Sequence, residues 1–200
     1  CLIFLAYAFW GDRFTGVLGH APLSAKRILE QISITSEGIF GSSLGISATY
    51  VVIFIILAGF LETTGAGQFF IDIASSATGT KRGGPAKIAV VGSCLFGSIS
   101  GSSVANVVST GTFTIPLSKS VGYPGYFAGA VEAVASTGGQ LMPPVMAAVA
   151  FIMADNLSVP YISICGAALI PAVLYYWSLF SMVDAKAVKL GIAGLKKEQL

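Results

Sequence analysis

The chain has 200 residues, 54% of them hydrophobic and 10% charged, with a formal net charge of +2 and a mean hydropathy of +0.83. A soluble domain carries about 25% charged residues, so a single soluble core is excluded and lipid is the natural solvent. The small net charge, with no basic run interleaved with aromatics, excludes nucleic acid as a partner. Cys1, Cys94 and Cys165 are scattered and form neither a zinc spacing nor a disulfide framework.

Residues 1–10 are apolar and stop at Gly11-Asp12-Arg13. They read as the end of a span in a piece of a longer protein, without the charged start of a signal peptide. Residues 22–36 predict an interfacial amphipathic helix with Pro22 in its first turn and Ile28, Leu29 and Ile32 on one face. Residues 44–62 form the cleanest transmembrane helix, closed by Glu62. Residues 66–78 predict a second amphipathic helix, which runs into the basic turn Lys81-Arg82-Gly83-Gly84-Pro85.

Residues 86–118 contain two apolar arms around Ser98-Ile-Ser-Gly-Ser-Ser103. As one straight helix they would be about 50 Å long, too long for a core of about 30 Å, while two full spans need about 40 residues. A re-entrant helical hairpin with its tip at residues 98–103 fits the length. Residues 124–155 read as one transmembrane helix broken at Ser136-Thr-Gly-Gly-Gln-Leu-Met-Pro-Pro144, where two prolines remove backbone donors and two glycines loosen the turn. Residues 160–183 form a last span ending at Asp184, with Tyr175, Tyr176 and Trp177 as interfacial anchors. Lys81, Arg82, Lys87, Lys119 and the tail lysines 186, 189, 196 and 197 outnumber Arg13, Lys26 and Arg27, which places the C-terminal tail in the cytoplasm.

Non-helical backbone inside a bilayer leaves polar groups unsatisfied unless it is buried in protein or lines a cavity. Paired Gly/Pro-interrupted segments are the sequence pointer to a transporter's midplane site. Both breaks carry oxygen donors: Ser98, Ser100, Ser102 and Ser103 around Gly101, with Asn106, Ser109 and Thr110 beyond, and Ser136, Thr137 and Gln140 at the second. An all-oxygen set suits a hard cation and no transition-metal cluster competes. The competing reading is close helix packing through Gly97-x-x-x-Gly101 and Gly125-x-x-x-Gly129. Glu132 is an intramembrane carboxylate, a functional candidate or the partner of a neighbouring helix. His20 sits in a polar loop and reads as a surface residue. With no other His and no two aspartates in spans, the constellation of an intramembrane protease is missing and the chain is not expected to be an enzyme.

The strings EGIFGSSLGISATYVVIFIILAGFLE, GTKRGGPAKIAVVGSCLFGSISGSSVANVVSTGTFTIPL and FAGAVEAVASTGGQLMPPVMAAVAFIMA resemble the large membrane subunit of tripartite ATP-independent periplasmic (TRAP) transporters. The resemblance is nearest to permeases in which small and large subunits are fused, and covers residues 22–184. It implies an all-α integral membrane protein, half of an elevator-type transporter, in a bacterial or archaeal cytoplasmic membrane. It implies import of a small organic acid such as a C4-dicarboxylate, driven by sodium and delivered by an extracytoplasmic solute-binding protein. Ser98, Ser100, Gly101, Ser102, Ser136, Thr137 and Gly138 would contact sodium; Ser103, Asn106 and Gln140 would contact substrate. The amphipathic stretches 22–36 and 66–78 would be arm helices. The family's second repeat is not in this stretch, so about half of a transport site is expected here. The alternative is a sodium/dicarboxylate symporter of similar architecture that needs no binding protein.

Overall fold

Glycines and prolines mark many of the helix ends, among them Gly65, Gly83, Gly101, Pro124, Pro160 and Gly191. The computed structural model describes residues 2–21, 23–35 and 38–195, and all regular structure among these is helical. Expectations resting on Cys1, Pro22, Ser36, Lys196, Lys197 and the side chain of Glu62 lie outside what is described. The chain forms two compact units, Cys1–Thr49 and Tyr50–Leu200.

In the first unit, α1 (Leu2–Trp10) leads through two short 3-10 turns to α2 (Ala25–Ser33) and α3 (Ser42–Ile46). The Ser24 hydroxyl accepts the Arg27 N–H at 3.3 Å, so α2 starts at Ala25, later than the sequence pattern implied. Ile28 is buried, but Leu29 is exposed and does not share its face. The two ring nitrogens of His20 lie 2.7 Å from the Ala21 carbonyl and 3.1 Å from that of Tyr7, and its ring meets Tyr7 edge-on. These contacts give His20 a role in fixing a turn.

The helix over Leu44–Leu61 carries a π-helical stretch, Ser47–Val51, before α4 (Val52–Thr63). Together with α10 (Tyr161–Leu190), it is long and apolar enough to cross a membrane. The apolar side chains of α4 are largely exposed, among them Ile53, Ile55, Ile56 and Phe60. Such a surface is stable against lipid and not against water.

The second unit continues with α5 (Ala66–Thr78), α6 (Gly84–Ser100), α7 (Ser103–Ser120), α8 (Gly125–Gly138) and α9 (Ala148–Leu157) before α10. Helices α6 and α7 pack on each other as a hairpin, and both pack on α8. Small residues let the backbones approach: Ala86 and Ala89 of α6, Ala135 of α8 and Ala187 of α10 join one buried cluster with Val131 and Val183. Ile71 and Ala74 of α5 close over Ile88 on the other side.

Three expectations change. Tyr175 and Tyr176 are not interfacial anchors: their hydroxyls donate to the Val134 and Ala135 carbonyls of α8 at 2.8 and 2.9 Å, while Trp177 remains outward-facing. Asp184 does not end its helix, because α10 runs on to Leu190 and the carboxylate accepts from Lys87 (2.5 Å) and Arg82 (2.6 Å). Lys186 and Lys189 therefore sit on α10 and not in a tail. A methyl group on Gly129 would meet nothing within 4 Å among the described residues, whereas one on Gly97 would meet Gly139.

Candidate functional site

The hairpin link is shorter than the serine run suggests. Ser98 and Ser100 lie in the last turn of α6, and only Gly101 and Ser102 form the connection. Gly101 adopts a left-handed conformation (φ +60°), which glycine enters without steric cost. The Ser102 hydroxyl caps α7 by accepting the Ala105 N–H at 3.3 Å. Ser103 opens α7, and Asn106 lies fully buried one turn on.

The second break spans residues 139–147, between the end of α8 and the start of α9. Its backbone is tied down group by group, as a membrane setting requires. The Val145 N–H donates to the Ser98 carbonyl at 3.1 Å, and the Ala147 N–H to the Gln140 carbonyl at 3.0 Å. The Tyr161 hydroxyl lies 2.9 Å from the Pro144 carbonyl and 2.6 Å from that of Val145. Tyr161 in turn stacks on Phe151 with ring centroids 4.3 Å apart. The Pro143–Pro144 bond is cis, and Met146 is left-handed (φ +54°).

The two interrupted stretches meet. Besides the Val145–Ser98 bond, the Gln140 side-chain amide donates to the Ser103 hydroxyl at 3.0 Å. Gly97 and Gly139 pack backbone to backbone, so a methyl group on either would collide with the other. A methyl group on Gly101 would overlap the Met146 carbonyl oxygen. The link between α6 and α7 thus lies against the break that separates α8 from α9; the C-termini of α6 and α8 carry partial negative charge and the N-termini of α7 and α9 partial positive charge.

Within this junction the candidate residues divide. The Ser100 hydroxyl is shut from solvent and has no hydrogen-bond partner among the described residues. Ser98 donates to its own helix at the Leu95 carbonyl. Ser136 is buried and Gly138 packs against Tyr175 and Tyr176. Thr137 is not gathered with them: its side chain is exposed and its hydroxyl donates to the Ala133 carbonyl. Asn106 faces inward and its amide donates to the Ser93 carbonyl at 2.8 Å.

Glu132 stands outside both serine-rich strings, yet it is fully buried at their base. Its Oε1 accepts from Ser93 of α6 (3.0 Å), from Thr110 of α7 and from Ser136 of its own helix (3.2 Å). Its Oε2 accepts from Thr114 of α7. The ion pairs among the described residues are Lys26–Glu30 and Asp184 with Arg82 and Lys87, and none involves Glu132. A sequence signal for this cradle exists. Asn106, Thr110, Thr114 and Ser118 recur every fourth residue as a buried polar stripe on α7, and Glu132 and Ser136 share the same spacing on α8.

The family model of the tripartite ATP-independent periplasmic transporter, DctM component, matches residues 1–200. The chain is 33% identical over 141 residues to the uncharacterized protein y4mL of Sinorhizobium fredii, covering 70% of this chain and 33% of that protein. It is 35% identical over 113 residues to the C4-dicarboxylate TRAP transporter large permease protein DctM of Pseudomonas aeruginosa (56% of this chain, 26% of that protein). It is 31% identical over 139 residues to the sialic acid TRAP transporter permease protein SiaT of Haemophilus influenzae (69% and 22%). The chain spans a third or less of the length of these relatives. With helices as the regular structure of its described residues, it is a membrane protein that belongs to the DctM-component family of TRAP transporters.

Proposed function

We propose that this chain forms part of a sodium-coupled permease importing an organic acid across the bacterial or archaeal cytoplasmic membrane. An extracytoplasmic solute-binding protein delivers the substrate. In this reading the α6–α7 hairpin is re-entrant, and α8 and α9 are the halves of one broken transmembrane helix. They ride together in the moving part of an elevator-type transporter, and the C-terminal tail is cytoplasmic.

The observation that carries the reading is the contact between the α6–α7 link and the break that separates α8 from α9, with the Ser100 hydroxyl beside that link buried and unpartnered among the described residues. The C-terminal ends of α6 and α8 suit a cation, held by oxygens of Ser98, Ser100, Gly101, Ser102, Ser136 and Gly138 and by the Thr137 backbone. The N-terminal ends of α7 and α9 suit the carboxylate of a substrate, with Ser103, Asn106 and Gln140 alongside. The relatives named for C4-dicarboxylates and for sialic acid support a carboxylate-bearing substrate.

The test is uptake into liposomes by the full-length permease with its binding protein, in a sodium or a potassium gradient. Uptake that runs equally well on potassium refutes the coupling. Uptake that persists without the binding protein refutes the tripartite arrangement and favours a simple symporter.

A further inference from the structure

We infer that Glu132 is the buried counter-charge of the coupling cation and that it positions the Ser136 hydroxyl to receive it. This rests on the sodium reading above.

Glu132 is 0% exposed, where three helices meet in a membrane protein. A carboxylate in such a place needs either a cation or a full set of donors. It has the donors, four hydroxyls from Ser93, Thr110, Thr114 and Ser136. Hydroxyls solvate the charge without cancelling it, and no Lys, Arg or His among the described residues pairs with it. An uncancelled negative charge in a low-dielectric setting raises the affinity of any cation site beside it.

The proposed cation site is beside it. A hydroxyl has one proton and two lone pairs. When Ser136, in the last turn of α8 before the break, turns its proton to Glu132 Oε1, 3.2 Å away, both lone pairs are left free to accept a cation. Asn106 is fixed in the same network, because Ser93 supplies both the carbonyl that its amide grips and a hydroxyl that the carboxylate accepts. Both Glu132 oxygens are occupied, so it acts through Ser136 as a positioning residue and not as a ligand itself.

A hard cation sits about 2.3–2.6 Å from its oxygen ligands. One bound at Ser136 would therefore lie within about 6 Å of Oε1. At that separation and an effective dielectric constant of about 20, the charge is worth on the order of a hundredfold in affinity, and tenfold or more after partial screening.

Sodium alone is the probe. The melting temperature of the purified full-length permease is followed against sodium chloride, with potassium chloride holding the ionic strength constant. Wild type is expected to gain stability with a saturating sodium midpoint. Glu132→Gln removes the charge and is expected to move that midpoint up tenfold or more. Glu132→Asp keeps the charge and is expected to fall between the two. A purely structural role would lower the melting temperature in potassium and leave the sodium midpoint where it is.

A midpoint for Glu132→Gln within twofold of wild type overturns the proposal and leaves the sodium reading standing. If the Gln variant is not recovered folded, Glu132→Asp decides. Its shorter side chain draws the carboxylate away from Ser136, so a raised midpoint supports the proposal and an unchanged one overturns it. A wild type that responds identically to sodium and potassium overturns the sodium reading, and this inference with it, before any variant is made.

Discussion

Replacing Gly101 by alanine tests whether the hairpin link and the helix break form one interlocked surface. Two costs follow from the structure. Gly101 has φ +60°, and a non-glycine residue in the left-handed region costs about 1–2 kcal/mol. The added methyl group would overlap the Met146 carbonyl oxygen and stand 2.9 Å from its carbon, so backbone and not a flexible side chain must move. That movement strains the Val145–Ser98 hydrogen bond next to it, and leaving such a buried group unpaired costs about 1–3 kcal/mol. The expected total is about 2–5 kcal/mol, the sum of these two terms. Gly129→Ala is the control, because a methyl group there meets nothing within 4 Å and φ is not left-handed. The assay is thermal unfolding of the full-length permease in detergent, paired with uptake in liposomes. Gly101→Ala should melt several degrees lower and lose uptake while still inserting, and Gly129→Ala should match wild type. If Gly101→Ala keeps both wild-type melting and wild-type uptake, the tip and the break do not interlock.

Gly97→Ala should separate the same two stretches from the other side, since its methyl group would collide with Gly139 Cα and stand 3.1 Å from the Asn106 amide; reduced melting temperature and uptake check this. Tyr161→Phe removes the hydroxyl that serves the Pro144 and Val145 carbonyls and should cost about 1–3 kcal/mol, read as a lower melting temperature at unchanged expression. Asp184→Asn should destabilise the permease more than the double variant Asp184→Asn with Lys87→Met. The single change strands the buried Lys87 ammonium, and the double change removes that charge as well. A double variant less stable than the single one would show that the Asp184–Lys87 pair is not the contact that matters.

The sequence exposes what depends on local chemistry. Gly101 and the Pro143-Pro144 pair announce breaks because few other residues allow the backbone conformations found there, and the length of residues 86–118 implies two arms in place of one helix. Helix termini drift by a few residues where a cap intervenes, as Ser24 does at the start of α2. Asp184 looked like a terminus because a charge after an apolar run usually marks an interface. Its partners Arg82 and Lys87 lie about a hundred residues earlier in the chain, and that pairing is a property of the packed helices alone. Tyr175 and Tyr176 misled for the same reason: an aromatic belt and a pair of inward hydroxyl donors read alike until the α8 carbonyls come into view.

Glu132 is the most informative case, because its meaning changes with what surrounds it. Read alone, a carboxylate in an apolar helix is ambiguous between a functional group and an ion-pair partner. The fourfold-spaced stripe of Asn106, Thr110 and Thr114 narrows the choice, since uncharged hydroxyls on a facing helix can hold a carboxylate but cannot neutralise it. Ser93 then ties the first arm of the hairpin to the second through the same carboxylate, and Ser136 ties both to the helix that breaks three residues later. One side chain therefore connects α6, α7 and α8, three of the four helices that flank the junction. The serine-rich strings catch the eye because they interrupt helices, but an interruption inside a membrane holds its shape only if the intact helices below it are locked in register. In this chain the lock is a buried carboxyl group that takes hydrogen bonds from hydroxyls of α6, α7 and α8.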